Sequence, residues 1–345
     1  MACNGALGVP PRSLQGMNAK PEVSVVMSVY NGAAHLTATM DSILLQEGVE
    51  FEFIVVNDGS SDKTRQILSD YAERDSRVHI IHQDNTGLTR ALIRGCNAAR
   101  GEFIARQDVG DISLPGRLKS QVAVLRDWED CVFVSCWTDV VGPKGEFLYT
   151  SRGTGLASSP INILSPQAKL GVVDGPSHHS SVMFRAKEYV LCGGYRPEFY
   201  FGQDWDLWYR LSSLGTFCML QKPLCICSIT VGSISTSQRS KQERFARLSR
   251  KALLARQAGL SDQPLLEEAR QLLSSVRKRA NPRRVRAAAN YFIGKCLLDN
   301  HNKAAIGYLL ATVKEYPLHV GGWVYLPRSL LIKSASDGRL GDSGS

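Results

Sequence analysis

Short apolar runs alternate with helical patterns along the first third of the chain. The runs are rich in β-branched and aromatic residues, and four strands are predicted near residues 22–29, 51–56, 77–81 and 102–105. The first intervening segment places Leu36, Met40 and Ile43 on one helix face. Strands that alternate with amphipathic helices predict an α/β fold with a doubly wound, mainly parallel sheet.

The pattern changes after residue 131. Residues 139–177 are rich in Gly, Pro and Ser, and beyond about residue 236 the pattern is almost entirely helical. We therefore predict a disordered N-terminus at residues 1–20, an α/β domain at 21–235, a C-terminal helical extension at 236–335 and a disordered tail at 336–345.

The composition is that of a soluble globular protein, with 43% hydrophobic and 21% charged residues in 345. No apolar run approaches the roughly 18–20 residues that span a bilayer. The first twenty residues lack the apolar region of a signal peptide, so a cytoplasmic protein is expected. Nine cysteines without C-x-x-C pairs predict reduced, mostly buried thiols, and Cys225 and Cys227 are expected to pack within a strand.

The formal net charge of +9 is concentrated in the C-terminal part. A basic surface favours polyanions, but no nucleic-acid-binding motif accompanies it, so nucleic acid is not expected as a partner. A solvated helical face and an anionic membrane surface remain as interpretations of the basic set. Trp323, Leu330 and Leu331 beside Arg328 favour a membrane interface, with packing between helices as the alternative. The basic residues are Arg239, Lys241, Arg244, Arg247, Arg250, Lys251, Arg256, Arg277, Lys278, Arg279, Arg283, Arg284 and Arg286.

Polar side chains follow three of the predicted strands, namely Tyr30 and Asn31, then Asp58, then Asp108 and Asp111. The carboxyl ends of strands in a doubly wound sheet converge on one crevice. Neither a G-x-G-x-x-G nor a G-x-x-x-x-G-K-[ST] motif is present, which argues against a dinucleotide site and a phosphate loop. An aromatic ring with carboxylates suits a nucleobase and a ribose, although a carboxylate such as Asp58 could also only shape its turn. A bound diphosphate would then need a metal or basic side chains.

Residues 22 to about 235 resemble family 2 of the glycosyltransferases, which are inverting sugar transferases with the type A, Rossmann-like nucleotide-diphospho-sugar transferase fold. The resemblance divides the domain into a nucleotide-binding half at 21–128 and an acceptor half at 129–235. The segments that carry it, in chain order, are 23–31, 55–62, 85–91, 101–108, 179–185, 193–195 and 203–208.

The resemblance implies nucleotide-binding roles for residues at the strand ends and on the third helix. Asp58 would hold the nucleobase and Asp108 the ribose. Arg90 would support the nucleotide, or else be an ordinary solvated helix residue. The implied set is Ser28, Tyr30, Asn31, Asp58, Arg90 and Asp108.

The sequence departs from the family at the implied metal site. The second aspartate of the strand-end D-x-D motif, which binds a divalent metal, should fall at position 110, where this chain has Gly110. Asp111 could substitute because glycine leaves the backbone free, so Mn²⁺ or Mg²⁺ is expected on Asp111. Weak metal binding, neutralisation by basic side chains, and loss of activity are the alternatives. Relatives also often carry an aromatic residue and an arginine where Cys227 and Ser228 stand.

Inverting transfer needs one carboxylate to take the proton of the attacking hydroxyl. The resemblance gives this role to Asp204, for which a helix N-cap is the alternative. Gln203 replaces the family's usual glutamate, which should leave the pKa of Asp204 less elevated. At least one of Trp205 and Trp208 is expected to pack in the core. The implied acceptor-side residues are His179, Gly193, Gly194, Trp205 and Trp208.

Together these features predict a non-processive, inverting glycosyltransferase. It would move one sugar from a nucleoside diphosphate, most simply a UDP-sugar, to a hydroxyl of a glycan or lipid-linked acceptor, at the inner face of a membrane. The absence of a Q-x-x-R-W motif favours single transfer. The alternative is a degenerate member that binds nucleotide or glycan, or that scaffolds a partner, and Gly110 and Gln203 are the residues that favour it.

Overall fold

The structure is a computed structural model that describes residues 20–153, 175–229, 239–274 and 281–331. Residues 1–19 of the predicted disordered N-terminus at 1–20 lie outside the described residues, as do the predicted tail at 336–345 and the predicted boundary near residue 236. Lys241 has no described side chain, and Arg277, Lys278 and Arg279 of the basic set also lie outside.

Within these ranges the helices and strands follow one another in an order typical of α/β proteins, with a helical C-terminal part. The elements are β1 Val23–Val29, α1 Leu36–Leu44, β2 Phe51–Asp58, α2 Thr64–Arg74, β3 Val78–Gln83, α3 Leu88–Ala98, β4 Phe103–Asp108, β5 Ile112–Ser113, α4 Arg117–Asp127, β6 Cys131–Val141, β7 Phe147–Ser151, a 3₁₀ turn His179–Ser181, β8 Met183–Arg185, α5 Ala186–Leu191, α6 Gln203–Leu211, β9 Thr216–Ser228, α7 Arg239–Gln257, α8 Gln263–Ser274, α9 Pro282–Asp299, α10 Ala305–Glu315 and α11 Val320–Leu330.

The strands form one sheet in the order β3-β2-β1-β4-β8-β6-β9-β5, and β7 pairs with β6. Strands β1 to β4 are parallel, and β6 pairs with β9 in parallel over most of its length. Strand β8 is antiparallel to both β4 and β6 and joins the two groups. The predicted doubly wound, mainly parallel sheet is confirmed, and residues 21–128 and 129–235 contribute to the same sheet.

Helices cover both faces of the sheet, which explains why β1 and β2 are buried along their whole length. One core packs Leu36 of α1 and Leu118 of α4 against β1 and β2. The opposite core holds Leu92 of α3 and Trp208 of α6. The crevice at the carboxyl ends of the strands is therefore built on a rigid two-sided support.

The segment after β4 contains a strand that the local sequence does not suggest. A serine followed by Pro115 is typical of a helix start, but Ser113 lies in the short strand β5, which pairs antiparallel with β9. Helix α4 begins only at Arg117, after Gly116 in a left-handed conformation with φ of 80°. The two-residue strand carries no periodic pattern, so the local sequence could not indicate it.

The C-terminal helices pack on the α/β domain through aromatic rings and a buried ion-pair network. Phe199 contacts Phe245 of α7, with ring centroids 6.5 Å apart. Asp206 pairs with Arg196 and with Arg210, and Arg196 also reaches Asp262 just before α8, at 2.7 Å. The i, i+4 spacing of Asp206 and Arg210 is typical of a surface ion pair, but Asp206 is fully buried.

One cysteine pair departs from the expected reduced thiols. Cys131 on β6 and Cys218 on β9 form a disulfide between neighbouring strands, with their Cα atoms 6.3 Å apart. The other cysteines of the described ranges are free thiols, namely Cys96, Cys136, Cys192, Cys225, Cys227 and Cys296. Across the described helices, none combines the length and hydropathy that a bilayer span requires.

Candidate active site

The predicted nucleotide residues lie at the carboxyl ends of three adjacent strands. Ser28 on β1 is in register with Asp108 on β4 and with Val56 on β2. Tyr30 follows β1 with 54% of its surface exposed, so its ring is available to stack on a planar ligand. The structure thus brings Ser28, Tyr30, Asp58 and Asp108 to one edge of the sheet, as expected.

Asp58 is almost fully buried and its carboxylate already accepts hydrogen bonds from the chain. Oδ1 accepts from the backbone N–H of Thr86 at 2.9 Å and from Gln83 Nε2 at 2.7 Å, and Oδ2 accepts from the N–H of Gly87 at 2.9 Å. These bonds fix the loop that leads into α3. A nucleobase N–H that donates to Asp58 would therefore bind a carboxylate that also anchors this loop. Arg90 is exposed on the first turn of α3.

Asn31 connects two loops. It has a positive φ of 51°, its side-chain oxygen accepts from the N–H of Ser61 at 2.8 Å, and its own N–H donates to Ser60 Oγ at 2.9 Å. Asp62 accepts from the N–H of Ala33 at 3.1 Å. The loops after β1 and β2 are therefore held together beside the exposed ring of Tyr30.

Asp108 rests on a fully buried arginine that sequence reasoning did not single out. Arg106 donates to Asp108 Oδ1 at 2.5 Å and to His179 Nε2 at 3.3 Å. Burial by itself raises the pKa of Asp108, but the charge of Arg106 and the hydrogen bond from it outweigh this effect and lower that pKa. Burial, reinforced by Arg106, lowers the pKa of His179 to about 3, so its imidazole is neutral and bonds the Tyr195 hydroxyl at 2.8 Å.

The loop after β4 is shaped by Gly110. Its φ of 96° is strained for any side chain, which accounts for glycine where the family carries an aspartate. Thr39 Oγ1 accepts from the N–H of Gly110 at 2.9 Å and donates to the carbonyl of Asp111 at 3.0 Å. The turn directs Asp111 into the protein, where it is 5% exposed.

Three potential metal-binding side chains meet at this point. His178 Nδ1 lies 3.4 Å from Asp111 Oδ2, and His178 Nε2 lies 3.2 Å from Cys227 Sγ. One ligand atom from each residue lies within 4.8 Å of the other two, and the described ranges contain no second group of this kind. Burial raises the pKa of Asp111 although His178 partly offsets it, and burial also raises the pKa of Cys227.

The sequence offers His178, next to His179 and just before a buried strand, as a possible ligand, but it does not connect His178 with Asp111. It predicts that Cys227 packs within a strand. Cys227 lies at the end of β9 and approaches Asp111 because Ile112 pairs with Ile226. The only local signal was the departure from the family's pattern at position 227.

The candidate base Asp204 lies in the first turn of α6. The residue that caps this helix is Gly202, with φ of 67°, so the N-cap interpretation of Asp204 is wrong. Its Oδ1 accepts from the N–H of Trp205 at 2.9 Å. Burial raises the pKa of Asp204, and the negative charge of Asp108 adds to this, while the N–H of Trp205 and the charge of His178 oppose it. Asp204 therefore shares the electrostatic environment of the crevice.

The acceptor-side residues divide into packing and exposed groups. Trp208 is 2% exposed and packs against His179, with ring centroids 6.2 Å apart. Trp205 is partly exposed and lines a cavity of about 180 Å³ between α6 and α7. The other residues that line it are Tyr209, Ala246, Arg247 and Arg250.

Gly193 and Gly194 end helix α5, with φ of 82° and 62°. The N–H of Gly194 donates to the carbonyl of Tyr189 at 2.8 Å, and a Cβ at this position would lie 2.8 Å from the Tyr189 ring. The structure thus gives both glycines a backbone role, which places Tyr195 beside His179.

The chain combines an open α/β sheet with carboxylates at the ends of β2 and β4 and a third, Asp204, in the first turn of α6. A sequence model described as glycosyl transferase family 2 matches residues 24–189. The putative glycosyltransferase EpsE of Bacillus subtilis is 33% identical over 203 residues, which cover 58% of this chain and 69% of EpsE. The chain belongs to glycosyl transferase family 2.

Other similar proteins agree with this assignment. An uncharacterized glycosyltransferase of Rickettsia felis is 29% identical over 196 residues, 55% of this chain and 31% of that protein. Among solved structures, S. aureus TarS 1-349 in complex with UDP-GlcNAc superimposes with a TM-score of 0.54 and 16% identity. The match covers 86% of this chain and 89% of that one, so the common fold extends beyond residues 24–189.

Proposed function

We propose that the protein is an inverting, non-processive glycosyltransferase. It moves one sugar from a nucleoside diphosphate, a UDP-sugar as the simplest choice, to a hydroxyl of a glycan or lipid-linked acceptor. The observation that carries the proposal is Asp204, a carboxylate in the first turn of α6 whose pKa is raised by burial and by the charge of Asp108. The similarity to a fold solved with UDP-GlcNAc supports the donor class.

The strand ends would bind the nucleoside. The exposed ring of Tyr30 stacks on the base, and Asp108 accepts from a ribose hydroxyl. Arg106 keeps Asp108 ionised and oriented, because it is buried beneath it and donates directly to it. Asp58 accepts from the base and at the same time holds the loop before α3, so base binding and loop position are coupled.

The transfer is one in-line displacement at the anomeric carbon. The acceptor oxygen forms the new bond while the bond from that carbon to the diphosphate oxygen breaks, and the hydroxyl proton passes to the Asp204 carboxylate. A raised pKa makes Asp204 a better proton acceptor near neutral pH. The protein contributes chiefly by orienting donor, acceptor and base.

A divalent cation, which the resemblance gives as Mn²⁺ or Mg²⁺, would neutralise the charge of the leaving diphosphate. The donor set fits a cation, since a carboxylate, an imidazole and a thiol converge on one point. Asp111 and His178 are the residues that would hold it, with Cys227 as the third donor.

The cavity lined by Trp205, the residue after Asp204, suits an acceptor that carries negative charge. Trp205 offers an aromatic face for a sugar ring, and Arg247 and Arg250 supply positive charge on the opposite wall. A phosphate-bearing, lipid-linked glycan combines both features. This arrangement supports the lipid-linked acceptor class.

Replacement of Asp204 by Asn tests the function. Asp204→Asn keeps the shape but cannot take the proton, so turnover should fall by about 10²–10⁴-fold. Stabilisation by UDP, measured by thermal shift, should persist because the nucleoside site is intact. Asp127→Asn, at the exposed end of α4, is the matched control and should retain full turnover.

Turnover that survives in Asp204→Asn would overturn the role of the base. Stabilisation by UDP in a wild-type protein that turns over no sugar nucleotide would favour the degenerate, nucleotide-binding alternative instead.

We also propose that the protein is cytoplasmic and binds a membrane surface through α11 and the turn before it. Leu318, Trp323, Leu330 and Leu331 are all more than half exposed there, and the guanidinium of Arg328 lies 5.2 Å from the centre of the Tyr325 ring. Exposed apolar side chains beside a basic one are typical of interfacial helices.

Vesicle cosedimentation tests this surface. The double variant Trp323→Ser and Leu331→Ser should lose about tenfold or more in affinity for vesicles with anionic lipid, since burying each side chain contributes roughly 1.5–3 kcal/mol. Leu45→Ser with Leu214→Ser, which removes two exposed leucines from the α/β domain, is the matched control. Equal binding by the two double variants would contradict the assignment.

A further inference from the structure

The cluster of Asp111, His178 and Cys227 contains one oxygen, one nitrogen and one sulfur donor. Mg²⁺ prefers an octahedral shell of oxygen ligands, and this cluster provides a single carboxylate. Thiolate and imidazole donors favour Zn²⁺ and similar cations, which are commonly held by three protein ligands with a fourth position open. The composition of the cluster is therefore unlike that of an oxygen-based magnesium site.

We infer that Asp111, His178 and Cys227 form a binding site for a thiophilic divalent cation of the Zn²⁺ class. The inference deepens the proposed function, because it changes the class of cation expected at the crevice. Binding of the cation itself requires no glycosyl transfer.

The distances suit a small tetrahedral ion. Bond lengths near 2.0–2.3 Å place two ligand atoms of a tetrahedral Zn²⁺ about 3.5 Å apart. His178 Nε2 and Cys227 Sγ are 3.2 Å apart, and every pair in the cluster is within 4.8 Å. A contraction of at most about 1.3 Å at the remaining edges would complete the geometry.

The second nitrogen of His178 has its own partner. Ser180 Oγ lies 2.8 Å from His178 Nδ1 and donates to Asp111 Oδ2 at 2.5 Å. One hydroxyl thus orients two of the three donors and leaves Nε2 directed at Cys227. Metal-binding histidines are commonly oriented by such outer contacts.

The same residues do not form a linear relay of nucleophile, base and carboxylate. In such a relay the thiol approaches only the imidazole, whereas here the ligand atoms of Cys227 and Asp111 also lie within 4.8 Å of each other. A triangle of mutual contacts is the arrangement that one central ion requires.

Access is available from the crevice side. The side chain of His178 is 35% exposed, while that of Asp111 is 7% exposed at the base of the site. A bound cation would thus be closed off below by Asp111 and open above, where its fourth position could take a phosphate oxygen.

Cobalt titration of the apo-protein tests the inference without any substrate. Co²⁺ bound by a thiolate gives a charge-transfer absorption in the near ultraviolet, and this band should appear at one equivalent and be displaced by Zn²⁺. Cys227→Ser should abolish the band and weaken Zn²⁺ binding by about tenfold or more, with a smaller loss for Mn²⁺. Asp111→Asn should weaken the binding of both Zn²⁺ and Mn²⁺.

Cys192→Ser is the matched control, because Cys192 is also a partly buried free thiol but lies at the end of α5. It should leave the band unchanged. A missing band in the wild-type protein would overturn the inference, and so would a band that persists in Cys227→Ser or an unchanged ratio of Zn²⁺ to Mn²⁺ affinity in that variant.

These outcomes are separable from those of the proposed function. Zn²⁺ binding in a protein that transfers no sugar would uphold the cation site and reject the enzyme. Sugar transfer that continues at full rate in the presence of a chelator, with no thiolate band, would uphold the enzyme and reject the cation site.

Discussion

The two edges of the central sheet both contain buried carboxylates, but these differ in their partners. At the amino edge, Glu52 of β2 accepts from Ser24 Oγ at 2.6 Å and from the guanidinium of Arg100 at 2.7 Å. Burial alone would raise the pKa of Glu52, but these hydrogen bonds and the charge of Arg100 lower it. At the carboxyl edge, burial raises the pKa of Asp111 and of Asp204.

The difference separates carboxylates that an arginine neutralises, among them Asp108 beside Arg106, from carboxylates whose pKa is raised by burial. A buried carboxylate paired with an arginine is neutralised within the protein, as Glu52 is by Arg100 and Asp206 by Arg196. Asp111 and Asp204 have raised pKa values, so a cation or a transferable proton would be favourable beside them. A raised carboxylate pKa in a crevice is a physical argument for a functional site.

Glu52→Gln provides the largest test of this comparison. The substitution removes the charge that accepts from Ser24 and Arg100, and the unfolding free energy at about pH 7 should fall by roughly 2 kcal/mol. The pKa of Glu52 is lowered in the folded state from its usual 4.5, so its contribution is present above that value and is lost as the pH falls through the folded value.

Urea denaturation at several pH values measures this effect. The difference between the wild type and Glu52→Gln should be constant near neutral pH and shrink below about pH 4.5. Glu129→Gln, on an exposed turn after α4, is the control and should show little difference at any pH. A difference in unfolding free energy between the wild type and Glu52→Gln that does not depend on pH would mean that Glu52 acts through its shape alone.

Much of the fold was predictable because its signals are local. The apolar runs of β1 and β2 and the helical spacing of Leu36, Met40 and Ile43 depend on neighbouring residues only. Asp58 and Asp108 follow from the same patterns, since a polar residue that ends a buried strand must lie at the sheet's edge.

The remaining features depend on contacts between distant segments. Arg106 was visible only as one residue of a strand, and its burial beneath Asp108 follows from the pairing of β4 with β1. The burial of Asp206 could not be predicted because helical spacing indicates only its contact with Arg210. Its contact with Arg196, which in turn binds Asp262, joins distant segments. The approach of Cys227 to Asp111 requires the two-residue strand β5, which is too short to leave a pattern.

Asp111→Asn is the same amide substitution on the opposite edge, and we expect a smaller effect of opposite sign. Because the pKa of Asp111 is raised in the folded state, the folded protein favours the protonated carboxyl group. The stability that this gives is fully present below the ordinary pKa of Asp111 and is lost as the pH rises through the folded value. In metal-free protein near neutral pH, the neutral amide should therefore raise the unfolding free energy. Added Zn²⁺ should stabilise the wild type more than the variant and reverse their order. If Asp111→Asn destabilises the metal-free protein as Glu52→Gln does, both carboxylates are structural and the distinction between the two edges fails.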